Sequence, residues 1–190
     1  MKKILLLLAL VPTAFFAQEE STKEKATLSA NFNVSEPTVV GLSLELPYEI
    51  KKDDEISTKK RKKYAKSAVF NLSYATMCYG SNNDLTGQGF EIQAGSRTYF
   101  NEQNHEKFYY ESFLSYGSVK YDETFFNGTY SYWSLIDGNI GYKLKIAKGF
   151  YVDPSAGFNW KWEVKGKGAV DNKNIDNLIY RFGVKLGFQF

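Results

Sequence analysis

The sequence predicts an all-β protein, an eight-stranded antiparallel up-and-down transmembrane β-barrel, and three observations carry that prediction. Apolar residues recur at every second position through most of residues 26–190. The face opposite them collects glycines among charged side chains, and aromatic residues, 17% of the chain, gather near the ends of the alternating segments. A two-residue period is the strand period; a helix of 3.6 residues per turn would scatter the same residues around its circumference.

Before the first strand, Met1-Lys2-Lys3 supplies a positive start, Ile4 to Val11 is an unbroken apolar run, and Thr13 to Ala17 leads into Gln18-Glu19-Glu20. This is the three-part layout of a secretory signal peptide. Residues 1–17 are therefore expected to be cleaved after Ala17, with residues 18–25 as a charged periplasmic lead-in to the barrel domain, 26–190. The apolar run is too short to cross a bilayer as a helix, which takes roughly 20 residues. The formal net charge is +3, and +1 once Lys2 and Lys3 leave, so no global basic field points to nucleic acid.

The expected strands cover residues 26–34, 38–49, 67–79, 88–100, 107–120, 129–146, 149–163 and 176–190. The first carries Leu28, Ala30, Phe32 and Val34 on one side, and the second Val40, Leu42, Leu44, Leu46 and Tyr48. In the third and fourth, Phe70, Leu72 and Tyr74 oppose Asn71 and Ser73, and Phe90, Ile92, Ala94 and Phe100 oppose Glu91, Gln93, Gly95 and Arg97. Segment 107–119 has apolar residues in both phases, Tyr109 and Phe113 as well as Phe108, Tyr110, Leu114 and Tyr116. In the sixth, Tyr130, Tyr132, Ile136, Ile140, Tyr142, Leu144 and Ile146 read as one face. A tight Ala147-Lys148-Gly149 turn leads into Phe150, Val152, Ala156, Phe158, Trp160 and Trp162, where Pro154 implies a bulge or a broken ladder. The last strand is the clearest, with Leu178, Tyr180, Phe182, Val184, Leu186, Phe188 and Phe190 alternating against Arg181, Gly183, Lys185 and Gly187.

Alternation does not say which face points outward. Gly95, Gly117, Gly141, Gly157, Gly183 and Gly187 share the polar face, and small side chains suit the narrow lumen of an eight-stranded barrel. Tyr142, Trp160, Trp162, Phe188 and Phe190 lie where interfacial girdles belong. Connections alternate mostly long and short, which places both termini in the periplasm. The expectation is an apolar face toward lipid; the alternative is a soluble lipocalin-like carrier with that face inside.

The run Tyr180-Arg181-Phe182-Gly183-Val184-Lys185-Leu186-Gly187-Phe188-Gln189-Phe190 resembles the closing strand of outer-membrane barrels. Gly89 to Phe100, Phe108 to Ser118 and Gly138 to Phe158 resemble a family of small outer-membrane β-barrel domain proteins, loosely similar to OmpX and the OmpA membrane domain. The resemblance covers about residues 26–190 and implies a bacterial outer-membrane location, outer-membrane lipid as surroundings, and contact with the barrel-assembly machinery through Tyr180, Phe182, Phe188 and Phe190. It implies no activity.

Eight inward positions, Glu91, Arg97, Glu111, Asp137, Asp153, Lys161, Arg181 and Lys185, are four acids and four bases. Buried charges need partners, so a self-neutralising ladder filling the lumen is expected in preference to a conducting path or substrate site. Lys59-Lys60-Arg61-Lys62-Lys63 is either a solvated loop or a contact for an anionic partner such as lipid phosphate. The single histidine, His105, and single cysteine, Cys78, are well separated and make neither a triad nor a metal-ligand cluster. No enzymatic activity, cofactor, metal or nucleic acid is expected, and the barrel is expected to be a monomer. Among the outer loops, Tyr121, Phe125 and Phe126 are the aromatic residues that could anchor a partner or pack over the barrel mouth.

Overall fold

Alternating side chains leave each segment one consistent solution, an extended strand that sends its polar set one way and its apolar set the other. The computed structural model describes residues 25–48, 64–79, 85–100, 105–164, 166–170 and 175–190. Nine strands occur among them: β1 (Thr27–Val34), β2 (Thr38–Tyr48), β3 (Lys66–Tyr79), β4 (Leu85–Tyr99), β5 (Lys107–Glu123), β6 (Phe126–Ala147), β7 (Phe150–Glu163), β8 (Lys167–Gly168) and β9 (Leu178–Gln189). The expected signal peptide, 1–17, most of the expected lead-in and the basic run Lys59 to Lys63 lie outside the described residues.

Each long strand pairs antiparallel with its sequence neighbour, and β9 pairs with both β7 and β1, so eight strands close a barrel in up-and-down order. The seam register runs from Thr27 opposite Gln189 to Val34 opposite Phe182. The two-residue β8 is not part of the wall. It pairs with Gly128 and Thr129, folding the β7–β9 connection back along β6. No described helix is long and apolar enough to cross a membrane; here the crossing elements are strands.

The polarity is inverted relative to a soluble barrel. Outward residues such as Phe70, Leu72, Ile92, Phe108, Leu114, Ile140, Tyr180, Phe182 and Leu186 are exposed, while Glu91, Arg97, Glu111, Asp137, Lys161 and Arg181 are buried inside. A soluble carrier would hold the first set within and the second without, so the lipocalin-like arrangement is not the one formed. Exposed apolar surface on this scale is stable only against an apolar medium. Along β5 the outward apolar set runs from Phe108 to Tyr116. Eight steps of about 3.4 Å give about 27 Å of strand, which a tilt near 40° projects to about 21 Å along the barrel axis, against the roughly 25 Å apolar band of transmembrane barrels. Two aromatic girdles bound it. Phe108 meets Tyr142 and Phe150 meets Phe188 near the end bearing the termini, while Tyr116 meets Trp133 and Trp160 meets Trp162 near the opposite mouth.

Two local readings change. Tyr130 and Tyr132 were expected on the outward face of β6 and instead point into the lumen, with Trp133 outward. The cause is a bulge at Leu135-Ile136, where the register to both β5 and β7 shifts by one residue and two consecutive apolar side chains face out. Segment 121–128 was expected as a loop but is mostly strand, with β5 and β6 continuing to a turn at Thr124-Phe125. At Pro154 the expected disruption is present as a broken ladder: the pairing to β9 continues, and the ladder to β6 is broken between Gly141 and Leu144. The Ala147-Lys148-Gly149 turn forms as expected, Gly149 supplying a φ of 79°.

Candidate functional site: the barrel lumen

Every second residue of each wall strand points inward, so the lumen's contents follow from register. All eight expected charges are buried there, and two more join them, Glu45 from β2 and Lys143 from β6. Among the described residues this makes five acids and five Lys or Arg side chains inside the barrel. Glu45 sits between Leu44 and Leu46, in a strand read for its apolar set alone. Lys143 alternates correctly with Tyr142 and Leu144 but resembles the exposed Lys145 beyond it.

The charges form two layers. Near the termini, Arg97 is the hub, with Nη2 donating to Glu111 at 2.7 Å, and Nη1 donating to Asp153 at 2.8 Å and to Glu45 at 3.3 Å. Its guanidinium lies 3.8 Å from the centroid of the Tyr109 ring, whose hydroxyl donates to Asp153. Lys143 donates to Glu45 at 2.9 Å and to Thr27 at 3.0 Å, and Lys185 reaches Glu111 at 3.5 Å. Three acids meet three bases. Since β6 and β2 stand opposite each other in the strand order, the Lys143–Glu45 pair spans the lumen at its level.

The middle layer is built on Arg181, whose Nη2 donates to Glu91 at 3.1 Å and whose Nη1 reaches Asp137 at 3.4 Å. Here too the partners are opposite, β9 across from β4. Asp137 collects donors from Gln93 at 2.9 Å, Ser115 at 2.8 Å and Asn159 at 3.2 Å, and Tyr132 donates to Glu91 at 2.6 Å. Lys161 is held differently from the other bases. It donates to the Glu36 carbonyl at 2.8 Å and lies 5.5 and 5.7 Å from the Tyr132 and Tyr130 ring centroids.

Above that level the contents become apolar. Val39, Met77, Tyr79, Val119, Tyr121, Tyr130 and Tyr132 fill the outer part of the barrel, with Val170 and Ile175 of the β7–β9 connection packed on them. Tyr79, Tyr121 and Phe126 form a ring cluster with centroids 4.8 to 5.8 Å apart. Of the aromatic residues expected at this mouth, Tyr121 and Phe126 therefore pack over it, and Phe125 is fully exposed at the hairpin tip. Among the described residues, the hydroxyls of Tyr121 and Tyr130 are buried without a hydrogen-bond partner.

Small residues make room for this filling. A Cβ at Gly141 would collide with the Tyr109 phenol, and one at Gly117 with the Tyr132 ring. At these two positions the glycine is the complement of a large inward neighbour, as a tapered barrel interior requires.

The remaining singled-out residues lie apart. His105 is buried at the rim, its Nε2 3.0 Å from the Lys66 carbonyl and its ring edge-on to Tyr99. Cys78 is half-buried at the other end of β3. Among the described residues no three His, Cys, Asp or Glu side chains are grouped to hold a metal. Tyr180, Phe182, Phe188 and Phe190 all face outward on or just beyond β9, at the seam with β1.

No family model matches the chain, and no curated protein matches it. Solved structures similar to it include Ail, the attachment invasion locus protein of Yersinia pestis, determined with the heparin analogue sucrose octasulfate, at 13% identity and a TM-score of 0.46, covering 87% of this chain and 97% of that one. A second structure of Ail is similar at 12% identity and a TM-score of 0.45, with the same coverage.

Proposed function

We propose that this chain is a bacterial outer-membrane β-barrel with a structural or interaction role, its lumen filled by a self-neutralising charge ladder, and with no enzymatic activity. The observation that carries the proposal is the pairing of the five lumen acids with Arg97, Lys143, Arg181 and Lys185, two of the pairs reaching across the barrel. A buried charge with two or three partners is a poor candidate for binding a passing solute, because any ligand must displace bonds already made in a medium of low dielectric. An eight-stranded barrel also has only enough interior for its own side chains. The outward apolar belt between two aromatic girdles supports residence in a membrane, and the signal-peptide layout of the sequence over residues 1–17 supports the outer one.

The test is fractionation followed by unheated electrophoresis. The protein should require detergent for release and migrate at different positions before and after boiling, as folded barrels do; release into the soluble periplasmic fraction would overturn the membrane reading. Contact with the barrel-assembly machinery is tested separately by Phe190→Ser. That variant should accumulate unassembled in cells while refolding normally in detergent micelles, and normal membrane assembly would remove the proposed role of the last strand.

A further inference from the structure

The aromatic girdle at the mouth opposite the termini is uneven. All three tryptophans of the chain, Trp133, Trp160 and Trp162, stand on β6 and β7, whereas β1 and β2 present the aliphatic Val34 and Val40 there. Register stacks three rows on that side of the wall. The lowest is Tyr116, Trp133 and Trp162, opposite one another across β5, β6 and β7; the Tyr116 and Trp133 ring centroids are 4.9 Å apart, and Trp160 lies 6.4 Å from Trp162. Next toward the mouth, Ser118 faces Ser131, with their Oγ atoms 2.9 Å apart. Beyond these, Lys120 faces Thr129, and Thr129 faces Lys167 of β8.

Parity fixes the direction of every one of these side chains. Val119 and Tyr121 of β5 and Tyr130 and Tyr132 of β6 are buried in the lumen, so Tyr116, Ser118 and Lys120, and Thr129, Ser131 and Trp133, point out of the wall. Lys167, paired with Thr129, shares that outward face. Both lysines are exposed, two strand spacings or about 10 Å apart. Lys120 stands four residues past Tyr116, about 14 Å of strand, which a tilt near 40° projects to about 10 Å beyond the girdle. A flexible lysine stem at that height reaches the headgroup layer bordering the interfacial aromatics. Asp122 lies 2.6 Å from Lys120, but both side chains are more than half exposed, at 66% and 60%, and such a surface pair is weak enough for a phosphate to share or replace it.

We propose that this face binds the phosphorylated sugar headgroup of a membrane glycolipid in the leaflet at the mouth opposite the termini. The C–H face of a sugar ring packs on the electron-rich faces of Tyr116, Trp133 and Trp162, and the Ser118, Ser131 and Thr129 hydroxyls meet its hydroxyl groups. Lys120 and Lys167 hold its phosphates as point charges. A phosphate without a sugar would engage the lysines alone and leave the rings and the hydroxyl row idle.

The inference rests on the membrane reading, and binding to the folded, detergent-solubilised full chain separates the two. The probe is lipid A, an acylated glucosamine disaccharide carrying phosphates, compared with phosphatidylglycerol at equal phosphate. Because every tryptophan of the chain lies in the patch, lipid A should shift the intrinsic fluorescence saturably, at an affinity at least tenfold above that of phosphatidylglycerol. At about fivefold per cation near an anionic group, Lys120→Gln with Lys167→Gln should weaken lipid A binding by roughly tenfold or more. Trp133→Leu with Trp162→Leu, read by native mass spectrometry, should narrow the preference for lipid A over phosphatidylglycerol. Lys107→Gln with Lys145→Gln, at the other end, should leave it intact. Unboiled migration checks that each variant is folded. Equal affinity for the two lipids, undiminished binding by the lysine variant at this mouth, an unchanged preference in the tryptophan variant, or loss with the far-end variant would each overturn the headgroup site without touching the barrel. Displacement by inorganic phosphate at the lipid's own concentration would also overturn it, by showing a free-anion site in place of a headgroup site.

Discussion

The lumen's two halves solve the same filling problem with opposite chemistry. Toward the termini, Arg97, Lys143 and Lys185 bind Glu45, Glu111 and Asp153 in one layer of buried ion pairs. Toward the opposite mouth, Val39, Met77, Val119, Tyr121 and Tyr130 pack as an ordinary apolar core, and two phenol hydroxyls go without partners. The charged half sits at the level of the outward apolar belt, its charged side chains buried inside the wall. The apolar half is closed from above by Val170 and Ile175, residues of a connection that is itself tied to β6 through β8. Filling a barrel with charge thus costs desolvation, which partners must offset, whereas filling it with rings depends on a cover.

Substitutions should separate these halves by size of effect, read as urea unfolding of the barrel reconstituted in lipid vesicles. Arg97→Met removes the shared partner of three carboxylates and is expected to cost about 3–5 kcal/mol, the range for breaking a buried ion pair. A loss below about 1 kcal/mol would mean the layer is wetted. Tyr132→Phe, at the boundary, deletes the hydroxyl that donates to Glu91 and should cost about 1.5–3 kcal/mol, as for hydrogen bonds to charged groups. In the apolar half, Ile175→Val should cost only about 0.5–1.5 kcal/mol through one lost methylene. Smallest of all, Tyr121→Phe removes an unpartnered hydroxyl, so stability should stay within about 0.5 kcal/mol of the parent or rise. A clear loss there would reveal a hydrogen bond in the mouth and erase the contrast between the halves.

How much of this could be read from sequence depends on the residue. Arg97 and Arg181 were legible because each sits in a strand with unbroken alternation, so parity alone points it inward; Glu111 follows the same parity although its segment carries apolar residues in both phases. Glu45 was hidden by its neighbours Leu44 and Leu46, which draw attention to the outward face of the same strand. Tyr130 and Tyr132 were misplaced because a bulge inverts parity; the bulge lies at the adjacent pair Leu135-Ile136, both of which face outward. The extension of β5 and β6 through residues 121–128 was masked by Asp122, Asn127 and Gly128, residues that favour turns but here pair across a hairpin. The network's partners were beyond reach, since the Lys143–Glu45 and Arg181–Glu91 pairs depend on which strands face each other once the barrel closes.

Planar-bilayer recording of the refolded full chain tests the filled lumen most directly. A barrel bridged at two levels by Lys143–Glu45 and Arg181–Glu91 should insert and show no sustained current at moderate voltage, with conductance appearing when Arg97 and Arg181 are both replaced by alanine. Steady ion flux through the unaltered protein would contradict the account, and would recast the charged residues as the lining of a pathway.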